Sequence, residues 1–378
     1  MKKKLFIVTT VPDTFEYILS SQPGFLNQHF HVIVVSSNPE RIAKFARSEG
    51  VDFATVEMAR GIAPLQDLKS IWNMVLLLLR LRPDVVHSYT PKAGMVCAIA
   101  GFIARVPVRI HTFTGLIFPA CGGFKQRLLQ TIDWFVCKLN TNIVPEGQGV
   151  LSDLTPICQK PLKVIGNGNI AGIDLGYFDW RNQQVQTAAA ELRQQYQLQD
   201  KKVFCFIGRL NADKGLQELC QAFAALDQTQ TALLIVGGLD DEKPITEATL
   251  QQIRQVPGII WLGFQADVRP ALSAADVFVL PSYREGFPNV LLQACAMAKP
   301  SLVTNVSGSN EVVQQDVNGW IVPVKDSGAL HIQMAGILQI SNAELRQKGQ
   351  NALHLVTERF ERRSYQQHLL QFYQDILR

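Results

Sequence analysis

The chain has 378 residues, of which 47% are hydrophobic and 18% charged, so it can bury large cores and is not disordered as a whole. Its length suits two domains of about 150 to 200 residues each. A net charge of +4 is too weak to indicate nucleic-acid binding, and we expect no nucleic-acid partner.

Short apolar segments alternate with helix-forming segments from the start of the chain to Pro145. Strands are predicted at Leu5–Val8, Val32–Val35, Val51–Val56, Val85–His87, Val108–Thr112 and Thr141–Pro145. Helices are predicted between them at Glu40–Glu49, Leu68–Leu81, Ala93–Ala104 and Lys125–Asn140. This alternation is typical of a parallel, doubly wound sheet.

The same alternation begins again after residue 200. Strands are predicted at Lys202–Ile207, Leu233–Val236, Gly258–Leu262, Asp276–Leu280 and Ser301–Thr304. Helices are predicted at Gly215–Leu226 and Asn289–Met297, and Tyr365–Leu377 has amphipathic spacing. The fold class is therefore α/β, with two Rossmann-like doubly wound parallel-sheet domains and a cleft between them. Glycines cluster in Gly166–Asp179, where we expect the boundary.

The two halves of the sequence differ in charge. Residues 1–170 carry 18 basic and 11 acidic groups, whereas residues 171–378 carry 18 and 21. Either the N-terminal half faces something anionic, or the difference is chance surface variation.

Seven cysteines are scattered without a C-x-x-C pair, which predicts reduced, buried thiols in a cytosolic protein rather than a zinc site. The apolar segment at Leu5–Val11 is too short for a signal peptide, because Pro12 and Asp13 follow at once. The longest apolar or glycine stretch, Met95–Ala104, is too short to span a bilayer. We therefore expect a cytoplasmic protein that is soluble or attached to a membrane surface.

The sequence does not contain the glycine-rich loop patterns that bind dinucleotides or nucleoside triphosphates. Gly166 and Gly168 begin a G-x-G pattern, but Gly172 comes one residue too late, and no P-loop pattern is present. We interpret this segment as a linker between domains. Because the glycine pattern for a dinucleotide is missing, a nicotinamide-dependent oxidoreductase is the weakest functional hypothesis.

Two cations follow the predicted strand that ends at Ile207. Gly208 and Arg209 come directly after it, and Lys214 stands at the start of the next helix. The helix N-terminus and both cations can converge on one anion such as a diphosphate. Solvated surface cations are the alternative interpretation.

A second motif follows the strand that ends at Leu280. Glu285 lies just before a helix start marked by Gly286 and Pro288, and Gln293 lies two turns into that helix. Free backbone N–H groups at such a start can bind hydroxyls or phosphate oxygens. Alone, Glu285 is equally well explained as an acid that the helix dipole stabilises.

Together the two motifs, with Pro300 and Asn318-Gly319, resemble the nucleotide-sugar domain of retaining glycosyltransferases of family four. Segments of the first half resemble the branch of that family that builds bacterial surface polysaccharides such as O-antigen and capsule: Thr9–Pro12, Asp84–His87, Thr90–Gly94, Val106–Thr112 and Gly172–Asp174. The resemblance covers nearly the whole chain and implies the two-domain GT-B fold.

The resemblance implies an acceptor-binding domain at residues 1–170 and a nucleotide-sugar domain at residues 171–360. A helix in residues 361–378 would then cross back to the first domain. It also implies a donor site formed by Gly208, Arg209, Lys214, Glu285, Gly286, Phe287, Pro288, Asn289, Val290 and Gln293. Glu285 would hold the donor sugar, and His111 would contact the sugar or its phosphate; both are the candidate catalytic residues.

One position departs from the family pattern, which has a second glutamate eight residues after the first. Gln293 stands there. A glutamine keeps an acceptor oxygen for the ribose hydroxyls but loses the charge.

The implied reaction moves a sugar, with retention and without a metal or other cofactor, from a nucleotide-diphosphate donor to a polyprenyl-diphosphate-linked glycan at the inner membrane face. A UDP-sugar is preferred, and a GDP-sugar stays open. Candidate acceptor-binding residues are Thr10, Lys92, Lys125 and Arg127. The helix Lys125–Lys138 would either contact the membrane or pack on the sheet, and for Ile71–Leu81 we expect packing. The alternatives are a GT-B nucleotide-sugar epimerase and a non-catalytic sugar-nucleotide-binding scaffold.

Overall fold

The computed structural model describes residues 2–59, 61 and 63–378. The chain divides into two compact units. The first consists of Met1–Gly172 together with Arg362–Arg378, and the second is Ile173–Glu361.

The first unit contains a six-stranded parallel sheet of order β3-β2-β1-β4-β5-β6. Its strands are β1 Lys4–Val8, β2 His31–Ser36, β3 Asp52–Thr55, β4 Val85–Tyr89, β5 Val108–Phe113 and β6 Asn142–Pro145. The helices between and after them are α1 Asp13–Tyr17, α2 Gln22–Asn27, α3 Pro39–Glu49, α4 Pro64–Leu81, α5 Pro91–Ile103, α6 Gly123–Leu139 and α7 Gln148–Leu154.

The strands of this sheet are apolar on both faces. In β1, Leu5 and Ile7 join one core, whereas Phe6 and Val8 join the core on the opposite face. Continuous apolar strands are expected of a parallel sheet that is covered by helices on both sides. The face of Phe6 is covered by α4 and α5.

The second unit repeats this architecture with strand order β12-β11-β10-β7-β8-β9. Its strands are β7 Lys202–Ile207, β8 Thr231–Val236, β9 Ile259–Gly263, β10 Val277–Leu280, β11 Ser301–Thr304 and β12 Gly319–Val322. Its helices are α8 Gln183–Gln195, α9 Leu216–Ala224, α10 Glu247–Gln255, α11 Arg269–Ala274, α12 Asn289–Ala296, α13 Ser309–Val312, α14 Ser327–Leu338 and α15 Asn342–Arg359.

The last helix, α16 Arg362–Ile376, belongs to the first unit. Its buried side chains Tyr365, Leu369 and Tyr373 join the core on the face of Leu5. The Tyr373 hydroxyl lies 2.6 Å from Nδ1 of His87, whose Nε2 lies 2.7 Å from the Thr112 hydroxyl. His87 is thus fully hydrogen-bonded inside the sheet.

The predicted fold class is confirmed by the two parallel sheets. Strand β12 and helices α1, α2, α7, α8, α10, α11, α13, α14 and α15 were not predicted as elements. His111 lies within β5, in agreement with the predicted strand Val108–Thr112. The segment Ile71–Leu81 packs in the core as expected, through Met74, Val75 and Leu78. Its outer side was not expected to be open, yet Trp72, Leu76 and Leu79 are exposed.

The seven cysteines are free thiols, six of them buried, and Cys121 is half-buried. No helix within the described part of the chain is long and apolar enough to cross a bilayer.

Candidate functional site

The candidate site of the second unit lies where its strand order reverses. β7 is the first strand of that sheet, and its neighbours are β8 on one side and β10 on the other. The loops after β7 and β10 therefore leave the same edge of the sheet side by side. Ligands of doubly wound sheets bind at such a point, beyond the carboxyl ends of the strands.

An ion pair joins these two loops. Nζ of Lys214 lies 2.6 Å from Oε1 of Glu285. The side chains are 22% and 11% exposed, so the pair is largely shielded from water yet not sealed off. An anion that reaches Lys214 at this place would find a cation already held in position.

Gly215 is required for this close approach. Its φ of 66° is left-handed, and a Cβ on it would lie 2.0 Å from the carbonyl oxygen of Pro281. The neighbouring Asp213 ties the loops further. Its carbonyl accepts from the N–H of Tyr283 at 2.8 Å, and its carboxylate accepts from Arg284 at 2.8 Å.

Arg209 lies at the end of β7 with a different partner. Its guanidinium lies 3.1 Å from the carboxylate of Asp240 and is 65% exposed. Burial acts to raise the pKa of Asp240, but the hydrogen bond from Asn211 and the charge of Arg209 outweigh it and lower that pKa. Gly208 contributes its backbone N–H to the Val236 carbonyl at 3.0 Å. Arg209 is thus a charged side chain that water and ligands can reach.

The motif around Gly286 begins α12. Phe287 is buried and packs on Phe360, with ring centroids 5.3 Å apart, so its side chain belongs to the core. Pro288 occupies the position just before the helix, and Asn289 and Val290 lie in its first turn. Gln293 is half-buried one turn further on. The positive end of the α12 dipole therefore lies beside Glu285.

Sequence reasoning missed a third loop at this edge, after β11. Gly308 there has a φ of 74°, and a Cβ on it would lie 2.3 Å from the carbonyl oxygen of Gly286. Its N–H donates to Oε1 of Glu311 at 3.2 Å. The sequence could have indicated this loop, because a glycine-containing loop follows a buried strand here as it does at Gly208.

The first unit has its own reversal of strand order, between β1 and β4. Thr10 follows β1, and its hydroxyl lies 2.7 Å from that of Thr90, which follows β4. Thr90 has a φ of 73°, which is unusual for a β-branched residue. Backbone strain of this kind often accompanies binding sites.

His111 is 2% exposed, and its ring lies against the backbone of Gly94, where a Cβ would come within 2.3 Å of the ring. Its Nδ1 lies 3.1 Å from the carbonyl oxygen of Ser88. A carbonyl only accepts, so this contact puts the proton on Nδ1 and leaves Nε2 as an acceptor. Burial lowers the pKa of His111 to about 4, so the ring is neutral at pH 7.

The predicted acceptor cations differ in their surroundings. Nζ of Lys92 lies 2.7 Å from both carboxylate oxygens of Asp67, and both side chains are 12% exposed. Lys125 and Arg127 lie exposed on the first turns of α6. Lys92 therefore already neutralises a carboxylate, whereas the two α6 cations face solvent.

Two family models match the chain. Residues 24–143 match the "Glycosyl transferase 4-like domain", and residues 201–339 match "Glycosyl transferases group 1". The chain is a glycosyltransferase of the family-four type. Both loops of the candidate donor site, after β7 and after β10, lie inside the second match.

This glycosyltransferase has relatives that match along most or nearly all of their length. The capsular polysaccharide biosynthesis glycosyltransferase CapM of Staphylococcus aureus is 29% identical over 385 residues, which cover 100% of this chain and 98% of the relative. The UDP-Gal:alpha-D-GlcNAc-diphosphoundecaprenol alpha-1,3-galactosyltransferase of Escherichia coli is 23% identical, with 87% of each chain covered.

Solved structures have the same fold as this glycosyltransferase. Alr3699/HepE of Anabaena in complex with UDP and glucose has a TM-score of 0.81 at 18% identity, with 99% of this chain and 100% of that chain covered. The sucrose-phosphate synthase of Thermosynechococcus elongatus has a TM-score of 0.78 at 18% identity, with 99% of each chain covered. The GT-B fold predicted from the sequence is thereby confirmed.

Proposed function

We propose that this glycosyltransferase moves a sugar, with retention of anomeric configuration and without a metal ion, from a UDP-sugar to a lipid-diphosphate-linked glycan in surface polysaccharide assembly. The observation that carries the proposal is the ion pair of Lys214 with Glu285 at the reversal point of the second sheet. It supports the proposal because a cation that can bind a diphosphate and a carboxylate that can bind hydroxyls lie side by side.

Lys214 stabilises the leaving group. As the bond between the sugar and the diphosphate breaks, negative charge grows on the diphosphate oxygen. A cation held in place beforehand stabilises that charge more than it stabilises the substrate, so it lowers the barrier. The exposed Arg209 and the N-terminus of α12 supply further positive potential. These groups do the work that a metal ion does in other sugar transferases.

In this proposal Glu285 holds the donor sugar, and His111 contacts the sugar or its phosphate. The Glu285 carboxylate accepts hydrogen bonds from donor-sugar hydroxyls, and we do not assign it the role of a covalent nucleophile. The neutral imidazole of His111 accepts at Nε2. Retention follows when the acceptor hydroxyl attacks from the side of the leaving group. The departing phosphate oxygen then takes the hydroxyl proton.

The remaining donor-site residues bind the nucleotide. Gln293 accepts and donates hydrogen bonds to the ribose hydroxyls in place of the family glutamate. The backbone of Gly208 and of Gly286–Val290 lines the phosphates, since Phe287 itself is in the core.

The acceptor binds to the first unit. Thr10 lies at the reversal point of that sheet, and Lys125 and Arg127 offer cations to a diphosphate. Lys92 can bind an acceptor phosphate if it gives up its ion pair with Asp67. Otherwise that ion pair holds α5 against α4. The E. coli galactosyltransferase, whose name includes a diphosphoundecaprenol acceptor, supports this acceptor class. The enzyme would work at the inner membrane face, where such acceptors lie.

Calorimetric titration of UDP and of GDP, first without metal and then with magnesium, tests the donor side. We expect micromolar binding of UDP that needs no metal and is lost in Lys214→Ala. Transfer from a panel of UDP-sugars to polyprenyl-diphosphate-linked sugars, with the product anomer read by NMR, tests the reaction. Binding without any transfer would favour the scaffold, and isomerisation of the donor alone would favour the epimerase.

A further inference from the structure

The outer side of α4 is an unpartnered apolar stripe. Five apolar side chains face away from the sheet and are exposed, at Leu65, Leu68, Trp72, Leu76 and Leu79. Their spacing of three and four residues puts them on one side of the helix. Trp72 is 63% and Leu65 is 87% exposed. The opposite side of α4 is also apolar and packs in the core through Met74, Val75 and Leu78.

The stripe continues across the neighbouring helices. α4 packs beside α5, and α5 packs beside α6 on the same face of the sheet. The end of α5 exposes Phe102 and Ile103, and α6 exposes Phe124, Leu128, Ile132, Trp134 and Phe135. Between α5 and α6 an apolar groove of about 220 Å³ opens, lined by Met95, Ile99 and Ile132 among others. An apolar surface this extended is rare on a protein that binds nothing there.

The charges around this surface are mainly positive. Exposed cations border it at Lys69, Arg80, Arg82, Arg105, Lys125, Arg127 and Lys138. The carboxylates between residues 61 and 140 are Asp67, Asp84 and Asp133. Asp67 binds Lys92, and Asp84 accepts from the backbone N–H of Lys4 at 2.8 Å. Burial raises the pKa of Asp133 to about 7, so it is about half neutral at pH 7.

We propose that the outer face of α4, α5 and α6, centred on Trp72 and Leu76, lies on an anionic lipid bilayer. The apolar side chains enter the boundary between headgroups and acyl chains, and the cations around them meet lipid phosphates. A second copy of this chain fits worse, because a symmetric contact would put cations against cations. The proposal deepens the proposed function and rests on it for the lipid-linked acceptor, which lies in the same bilayer.

Sedimentation of the full-length protein with vesicles tests the proposal. We expect binding to vesicles of phosphatidylcholine mixed with phosphatidylglycerol, weaker binding to phosphatidylcholine alone, and weakening by salt. Trp72→Gln combined with Leu76→Gln should lower the partition coefficient by about tenfold or more, because two anchoring side chains are lost. Lys69→Gln or Arg80→Gln should each lower it by about fivefold, and only on the anionic vesicles.

The matched control is Ile332→Gln, which changes an isolated exposed apolar side chain on α14 of the second unit. It should bind vesicles like the wild type. UDP titration of every variant separates the two proposals, since a variant that binds UDP normally but not vesicles has an intact donor site. Equal vesicle binding by Trp72→Gln/Leu76→Gln and the wild type would overturn the assignment. So would a wild-type dimer that becomes monomeric in that variant without any vesicle binding.

Discussion

Lys214 and Glu285 are 71 residues apart in the chain, yet their charged atoms are 2.6 Å apart. The contact exists because β7 and β10 are neighbours in the sheet. Along the chain the two strands are far apart, since α9, β8, α10, β9 and α11 lie between them. It links the residue that we assign to the diphosphate with the residue that we assign to the sugar.

Replacing Lys214 by alanine should lower kcat by about 100- to 1,000-fold, because the growing charge on the diphosphate loses its held cation. Steady-state transfer kinetics measure this loss. Arg346→Ala removes an exposed cation on α15 and serves as the control. A loss of less than threefold in Lys214→Ala would contradict the role assigned to this lysine.

Glu285→Gln keeps the size of the side chain and a hydrogen-bond acceptor for Lys214 but removes the charge. We expect transfer to fall by about 100-fold, since hydrogen bonds to a charged acceptor are the strong ones. The affinity for UDP, which has no sugar, should change little. Calorimetry with UDP beside transfer kinetics distinguishes a sugar contact from a general loss of the site, in which both values would fall together.

Gln293→Glu restores the second acid of the family pattern. If Gln293 binds the ribose hydroxyls, the charged acceptor should tighten UDP binding by about two- to tenfold, because charge-assisted hydrogen bonds are roughly twice as strong as neutral ones. Titration of UDP measures the change, with Gln293→Ala as the variant that should weaken binding. Unchanged affinity in both variants would remove Gln293 from the site.

Tyr373→Phe removes the hydroxyl that lies against His87 and leaves a buried ring nitrogen with one partner fewer. The free energy of unfolding should fall by about 1 to 3 kcal/mol. Thermal unfolding followed by circular dichroism measures it. A fall of this size in the free energy of unfolding would show that α16 stabilises the first unit through this contact as well as through its apolar side chains.

The folded protein should lose stability in mild acid. The pKa of His111 falls from 6.5 in the unfolded chain to about 4 in the folded protein because of burial, so the unfolded state takes up the proton first. The contribution of neutral His111 to the free energy of unfolding is complete above pH 6.5. It falls by about 3 kcal/mol in total as the pH drops towards 4. His111→Gln should flatten the fall in melting temperature over that window, and an unchanged slope would contradict the buried neutral ring.

The positions of the loops could be predicted from the sequence, but their partners could not. Apolar β-branched segments mark where strands end, so Arg209 and Glu285 were both predicted at strand ends. That Lys214 meets Glu285 while Arg209 meets Asp240 depends on which strands are neighbours, and strand order is set by contacts distant in sequence. Asp67 and Lys92 pair across two helices for the same reason.

The orientation of α4 shows a second limit. Apolar residues occupy both sides of this helix, so periodicity alone cannot say which side faces the sheet. We expected simple packing for Ile71–Leu81, and the structure instead exposes a second apolar side. Only the positions of β1, β4 and α5 decide which side is covered.

The chain enters and leaves the second unit at adjacent positions. The N–H of Ile173 donates to the carbonyl of Phe360 at 2.7 Å, and Ile173 is also paired with Glu361. Both ends of residues 173–361 are therefore adjacent, and the segment is an insertion within a chain whose first and last parts form the other unit. Swapping this segment between relatives as one cassette would exchange the proposed donor site while leaving α4, α5, α6 and α16 untouched.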